Sequence, residues 1–273
     1  MGSTALEEHG PASTASTGPA GVTGRVLSYD IYRGLLLTAM VFYHIIANFT
    51  SFNRDPRFSY WIPMGFVLFL GVILARFLQN RTRKKLWLAM KVLAAFFLLN
   101  IPKYLDPEFR LLGLVRGHFY FFSFEVLLPM GLLILASIPL DRTKRIAWPL
   151  AALAYACIVA LSLTGFESYN LSFLLCGLVG YFVALRVDLH AVAVAQKAWY
   201  ATPLVLVSAV PFILLGFGHY FDFLFVLQVM ACYFLLTRLV PRNGLFTFVG
   251  QHSFVIYIAH IVAIRIIVEF IGW

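Results

Sequence analysis

From Ile31 to the end the chain is a near-continuous succession of apolar stretches separated by short polar breaks. Nine can be set apart, at about 31–50, 60–78, 86–101, 119–138, 146–164, 171–187, 200–216, 221–240 and 253–271. Crossing the hydrocarbon core of a bilayer takes about 20 apolar residues in a helix, the length most of these stretches approach. Lipid offers no partner to a backbone amide, so such stretches are expected to be helical, and none has the alternating pattern of a barrel strand. The expected fold class is all-α: a polytopic α-helical integral membrane bundle of about nine transmembrane helices, with room for a tenth.

Residues 1–24 differ. MGSTALEEHGPASTASTGPAGVTG is rich in Ser, Thr, Gly, Pro and Ala and has too little apolar content to offset the entropy of ordering, so a disordered tail is expected there. It has neither a basic start nor an apolar stretch of secretory type, and Leu6 stands where a myristoylation motif wants Ser or Thr. Residues 25–273 read as a single membrane domain without a linker or internal repeat.

Composition supports this: 61% of residues are hydrophobic and 12% charged, about half the charged share of a soluble domain. The net charge of +9 suggests nucleic acid until its distribution is considered. With the N-terminus cytoplasmic and alternating spans, the inner side holds Arg25, Arg76, Arg81, Arg83, Lys84, Lys85, Arg142, Lys144, Arg145, Arg186, Lys197, Arg238 and Arg242. The outer side holds only Arg54, Arg57, Lys103, Arg110 and Arg116. Positive charge therefore gathers inside, as it does in inner-membrane proteins, and no nucleic-acid partner is expected. Cys157, Cys176 and Cys232 all fall within spans, where neither a disulfide nor a metal role is expected.

An ionisable side chain within a span is costly, so each marks candidate chemistry. In the first span Arg33 and His44 lie eleven residues apart, which returns them to within about 20° on one helical face and separates them by about 16 Å along the axis. One face then joins a guanidinium near the cytoplasmic edge to a titratable imidazole deeper in. Arg33 could equally snorkel and pair with Asp30, His44 could simply bond a neighbouring helix, and Gly34 suits close packing under either reading.

The last span places Ser253, Tyr257 and His260 on one face at spacings of four and three, after a Gly250 suited to a tight loop or helix start. This polar face fits a catalytic seam or helix-to-helix glue. Glu125 in the fourth span is at a depth comparable with His44 and is the candidate to orient it. Arg116 and His118, in the outer connection 102–118, could bind something polar or merely solvate an outer loop. Lys91 could snorkel or line an inner cavity, and Arg265 with Glu269, four apart, reads as a pair.

The ordered set Asp30, Arg33, Gly34 and His44, followed near the C-terminus by Gly250, Ser253, Tyr257 and His260, resembles the transmembrane acyltransferase superfamily. That superfamily includes the family-3 acyltransferases of surface polysaccharides and the heparan-α-glucosaminide N-acetyltransferase-like proteins. PMGFVLFLGVILARF followed by RTRKK, FSFEVLLPMGLLIL and FLLCGLVGYFVA resemble it too, so the likeness runs from about Arg25 to the C-terminus. Two departures are visible: Leu70 and Gly71 stand where many relatives have a Ser-Gly pair, and Arg81 and Arg83 match a second arginine motif only loosely.

The resemblance implies an inner-membrane enzyme that moves an acyl group, most simply acetyl, from cytoplasmic acyl-CoA to a hydroxyl or amine of a saccharide or glycoconjugate. Acetyl-CoA would be a co-substrate, with no permanently bound cofactor and no metal. Arg33, Arg76, Arg81 and Arg83 would meet its phosphates. His44 would act as general base or transient acyl carrier, with Glu125 and His260 beside it and Asp30, Ser253 and Tyr257 in support. The rival reading from residues alone is a transporter or channel with an intramembrane Arg/Glu/His relay. A non-catalytic scaffold is the third.

Overall fold

The computed structural model describes residues 26–49, 56–104, 126–164, 169–195, 203, 222–239 and 244–271. Among them are no strands and ten α-helices: α1 Leu27–Phe49, α2 Pro56–Phe77, α3 Thr82–Tyr104, α4 Leu127–Leu140, α5 Ala147–Thr164, α6 Tyr169–Ala184, α7 Leu189–Ala195, α8 Asp222–Leu239, α9 Gly244–Gln251 and α10 Ser253–Ile271. A 3₁₀ turn, Lys144–Ile146, leads into α5. The protein is all-α, as its apolar pattern predicts.

The expected stretches map onto these helices with informative shifts. The seventh, 200–216, lies outside the described residues except for Pro203, and the start of the fourth lies outside them too. The third begins earlier than expected, so Lys84 and Lys85 are helical and not loop residues. The ninth is preceded by a separate helix: α9 and the first part of α10 meet at His252 with a bend of 83°. Among the described helices, Lys144–Thr164 alone is long and apolar enough by itself to cross a membrane, and α9 with α10 qualifies as a bent pair. Apolar lengths in α2, α4, α6 and α8 are shorter. Part of the shortfall is chemical, since α3 opens on Arg83, Lys84 and Lys85 and carries Lys91. Part arises because residues before Val126 are outside the description.

Packing depends on close backbone approach. α2 lies along α6, where a Cβ added at Gly71 would come within 2.1 Å of the Gly177 carbonyl oxygen and one at Gly180 within 2.2 Å of that of Leu68. Only hydrogen fits at either position, which lets the two helices touch along their backbones. α3 packs on α4, α5 on α6, and α8 reaches α2, α5 and α7. The core between them is aromatic as well as aliphatic: Tyr29, Tyr32, Phe69 and Tyr233 stack from α1, α2 and α8 with centroid separations of 4.6 to 6.1 Å.

The turns assigned to the inner side meet at one end of the bundle. Asn80, left-handed at φ 58° in the α2–α3 turn, donates its backbone N–H to Asp141 Oδ2 at 2.9 Å in the turn after α4. Arg186 after α6 donates to the Arg145 carbonyl at 2.7 Å. Asp188 accepts from the backbone N–H groups of His190 and Ala191 through Oδ1, capping α7, while its Oδ2 pairs with Arg76 at 2.9 Å.

Just inside this end is a buried polar knot. Lys85, fully enclosed, donates to Asp141 Oδ1 at 2.7 Å and to the Ser137 carbonyl at 3.1 Å, and Tyr181 donates to the same Asp141 oxygen at 2.7 Å. Lys85 was counted among the inner-loop charges on sequence; the structure corrects that, because its ammonium neutralises the single carboxylate of the turn DRTKR. Removing one partner of such a pair strands the other charge in a low dielectric. Lys85→Ala is therefore expected to cost about 3–5 kcal/mol, read as a lowered thermal unfolding midpoint of detergent-solubilised protein. The double variant Lys85→Met/Asp141→Leu should lose much less.

Candidate functional site

The face predicted on the first helix exists, and α9 and α10 complete it. A Cβ at Gly34 would meet the Phe246 carbonyl oxygen at 2.0 Å and one at Gly250 would meet that of Asp30 at 1.8 Å. Glycine at both positions thus seats α9 directly against the first turns of α1. Chain order 30 to 34 opposes 250 to 246, so the two run antiparallel. The bend after α9 then turns α10 across α1. Gly34 and Gly250, read on sequence as packing and loop residues, are the two sides of one backbone contact.

Two side-chain contacts follow from this seating. The Arg33 guanidinium donates through Nη2 to Ser253 Oγ at the first position of α10. Deeper along the same pair of helices, the rings of His44 and His260 lie 5.6 Å apart at 39°. Tyr257 is 5.4 Å from His260 on its other side, edge to face, and Tyr43 flanks His44 at 5.7 Å. The result is an aromatic row, Tyr257, His260, His44, Tyr43, in which two imidazoles are neighbours. His260 Nδ1 lies 3.2 Å from the Ile256 carbonyl oxygen, while its Nε2 is buried with no hydrogen-bond partner among the described residues.

Arg33 lines two spaces. Toward the end where the basic turns meet it faces a cleft of about 610 Å³ with Asp30, Arg76 and Arg81, floored by Tyr29, Ile73 and Phe77. That volume is within the range of small-molecule sites. The cleft lies between the start of α1 and the end of α2 with its following turn. Its lining carries three guanidinium groups against one carboxylate, a field suited to an anion. Inward, Arg33 and Ser253 border a small cavity of about 50 Å³ whose other walls are Met40, Phe66, Leu70, Val126, Leu127, Met130, Phe254 and Tyr257. Tyr257 joins this cavity to the histidine row.

The remaining expectations divide clearly. Asp30 is buried beside the cleft. Arg83 stands exposed on the first turn of α3, and Arg76 is already held by Asp188, so the cation set centres on Arg33 and Arg81. Lys91 is exposed, its ammonium 5.2 Å over the Trp87 ring. Glu125, Arg116 and His118 lie outside the described residues, as do the side chains of Arg265 and Glu269. The three cysteines are free, and no cluster of metal-ligating side chains occurs among the described residues.

Sequence reasoning missed the Lys85, Asp141 and Tyr181 knot, although a lone acid in an otherwise basic turn was a usable signal. It also missed Met40 and Met130 as cavity walls, which spacing alone does not mark. No family model matches the sequence, and neither a curated protein nor a solved structure matches it.

Proposed function

We propose that this protein is a membrane-embedded acyltransferase. It moves a short acyl group from cytoplasmic acyl-CoA to a hydroxyl or amine of a saccharide or glycoconjugate. The observation that carries the reading is the position of Arg33, which is at once a wall of the basic cleft and of an apolar cavity whose wall residue Tyr257 touches His260. A donor with a phosphorylated head and a narrow arm suits that arrangement: phosphates at Arg33 and Arg81, thioester toward His44 and His260. Guanidinium groups bind phosphate through paired, charge-assisted hydrogen bonds. The cavity is small and lined mainly by apolar side chains, which suits a short acyl group such as acetyl.

The multi-pass reading draws support from what the helices leave uncovered. α3 exposes Leu86, Trp87, Met90, Phe97, Leu98 and Ile101, α5 exposes Trp148, Leu153 and Leu163, and α1 exposes Phe42 and Ile45. Apolar side chains in that number, spread over several helices, suit lipid better than water. The buried Lys85 pair and the exposed basic residues share one end, which accords with a cytoplasmic face. A topology reporter fused after Trp273 is expected on the non-cytoplasmic side; cytoplasmic activity would overturn the odd number of spans.

Three measurements test the enzyme. Protein in detergent with an acceptor should release free thiol from acetyl-CoA, and His44→Ala should sharply reduce the release while leaving acetyl-CoA binding within about threefold, since loss of one imidazole from the His44 and His260 pair acts on the barrier and not on donor affinity. Arg33→Ala should weaken acetyl-CoA binding by about 10- to 100-fold, the loss of one charge-assisted bond pair, and Arg33→Lys should recover only part of it. Across an acyl series, turnover should fall steeply from acetyl to hexanoyl-CoA, and Met130→Ala should flatten that fall. Equal turnover at every chain length would show that the cavity is not the acyl seat.

A further inference from the structure

Resting on the acyltransferase reading, the geometry points to Nε2 of His260 as the atom that takes the acceptor's proton, so that the base of the reaction lies on the last helix. His260 Nδ1 is 3.2 Å from the Ile256 carbonyl oxygen. A carbonyl offers only lone pairs, so Nδ1 must carry the hydrogen and donate it. In the neutral ring the lone pair is then on Nε2. That atom is buried and has no hydrogen-bond partner among the described residues.

A buried acceptor left without a donor is costly, and buried polar groups are as a rule hydrogen-bonded, so one left open marks a place for a ligand's donor. His260 also stands where a base is needed, with one ring neighbour on the cavity wall, Tyr257 at 5.4 Å, and the other His44 at 5.6 Å. A hydroxyl or amine donating to Nε2 would supply the missing partner. As the proton passes to Nε2, the acceptor's oxygen or nitrogen bonds to the thioester carbonyl carbon. The C–S bond breaks, its electron pair leaves with sulfur, and the imidazolium of His260 returns the proton to give free CoA thiol and a neutral base. Atoms and charge balance without a further reagent.

His260→Asn is the discriminating variant, because the shorter amide can still donate toward Ile256 and keep the helix while removing Nε2. In the intact chain in detergent, it is expected to bind acetyl-CoA within threefold of wild type and to keep the KM for acceptor within about fivefold. Its kcat for thiol release should fall by 100-fold or more, the range of a general base. His260→Ala, assayed with added imidazole, should regain at least tenfold of its lost rate, a rescue that a purely packing role would not give. An active wild type with His260→Asn inside threefold of its kcat, or with no imidazole rescue of His260→Ala, overturns the assignment and leaves the acyltransferase intact. A wild type that releases no thiol with any acceptor overturns both.

Discussion

The contact between α1 and α9 is the constraint from which the site follows. Two glycines, Gly34 and Gly250, each stand where any larger residue would run into the facing backbone. By removing two Cβ atoms the chain lets α9 sit on the backbone of α1, and the bend at His252 then sends α10 across it. Arg33 finds Ser253 and His44 finds His260 because of that approach. A methyl group at either glycine would push apart all four residues together, although neither glycine carries chemistry.

The buried Lys85 pair does comparable work at the basic end. It ties α3, the turn after α4 and α6 together through one carboxylate, with Asn80 holding the second oxygen. Because the carboxylate is neutralised from within, the exposed cations near it, Arg81 and Arg83 among them, keep their charge for other partners. Asp188 does the reverse to Arg76, fixing it while capping α7. The field of the cleft is thus shaped by which guanidinium groups are already paired as much as by how many are present. Arg33, Arg76 and Arg81 all line the cleft, whereas Arg83 does not.

Much of this was legible in the sequence, for reasons that can be stated. The all-helical class follows from apolar length, and the Arg33 and His44 face follows from 3.6 residues per turn, which needs no knowledge of neighbours. The polar face of Ser253, Tyr257 and His260 was visible for the same reason. That the two faces meet was not derivable from periodicity, since it depends on a helix break at His252 and on glycines 216 residues apart in the chain. The break was hinted at by Gly250 but not its angle. Lys85 was misread because a lysine beside RTRK belongs by composition to a loop, and only the depth of Asp141 and Tyr181 draws it inward. Apolar walls such as Leu70 and Met130 carry no local mark that separates a cavity lining from ordinary core.

The distance between Arg33 and His44 gains meaning from the two spaces Arg33 borders. Eleven residues of helix separate charge from imidazole by about 16 Å, too far for one small substrate to touch both. A site built this way must either serve two substrates or one long one, and the cavity between the two ends is only about 50 Å³. A small space of that kind suits an extended chain better than a bulky group. Under the acyltransferase reading proposed above, the same narrowness would limit water at the thioester and so slow its hydrolysis. Arg33, bonded to Ser253 at the neck, is then the residue that both recognises the charged end and sets the width of the passage behind it. A lysine there would keep the charge but not the planar fork that reaches Ser253 and a phosphate at once.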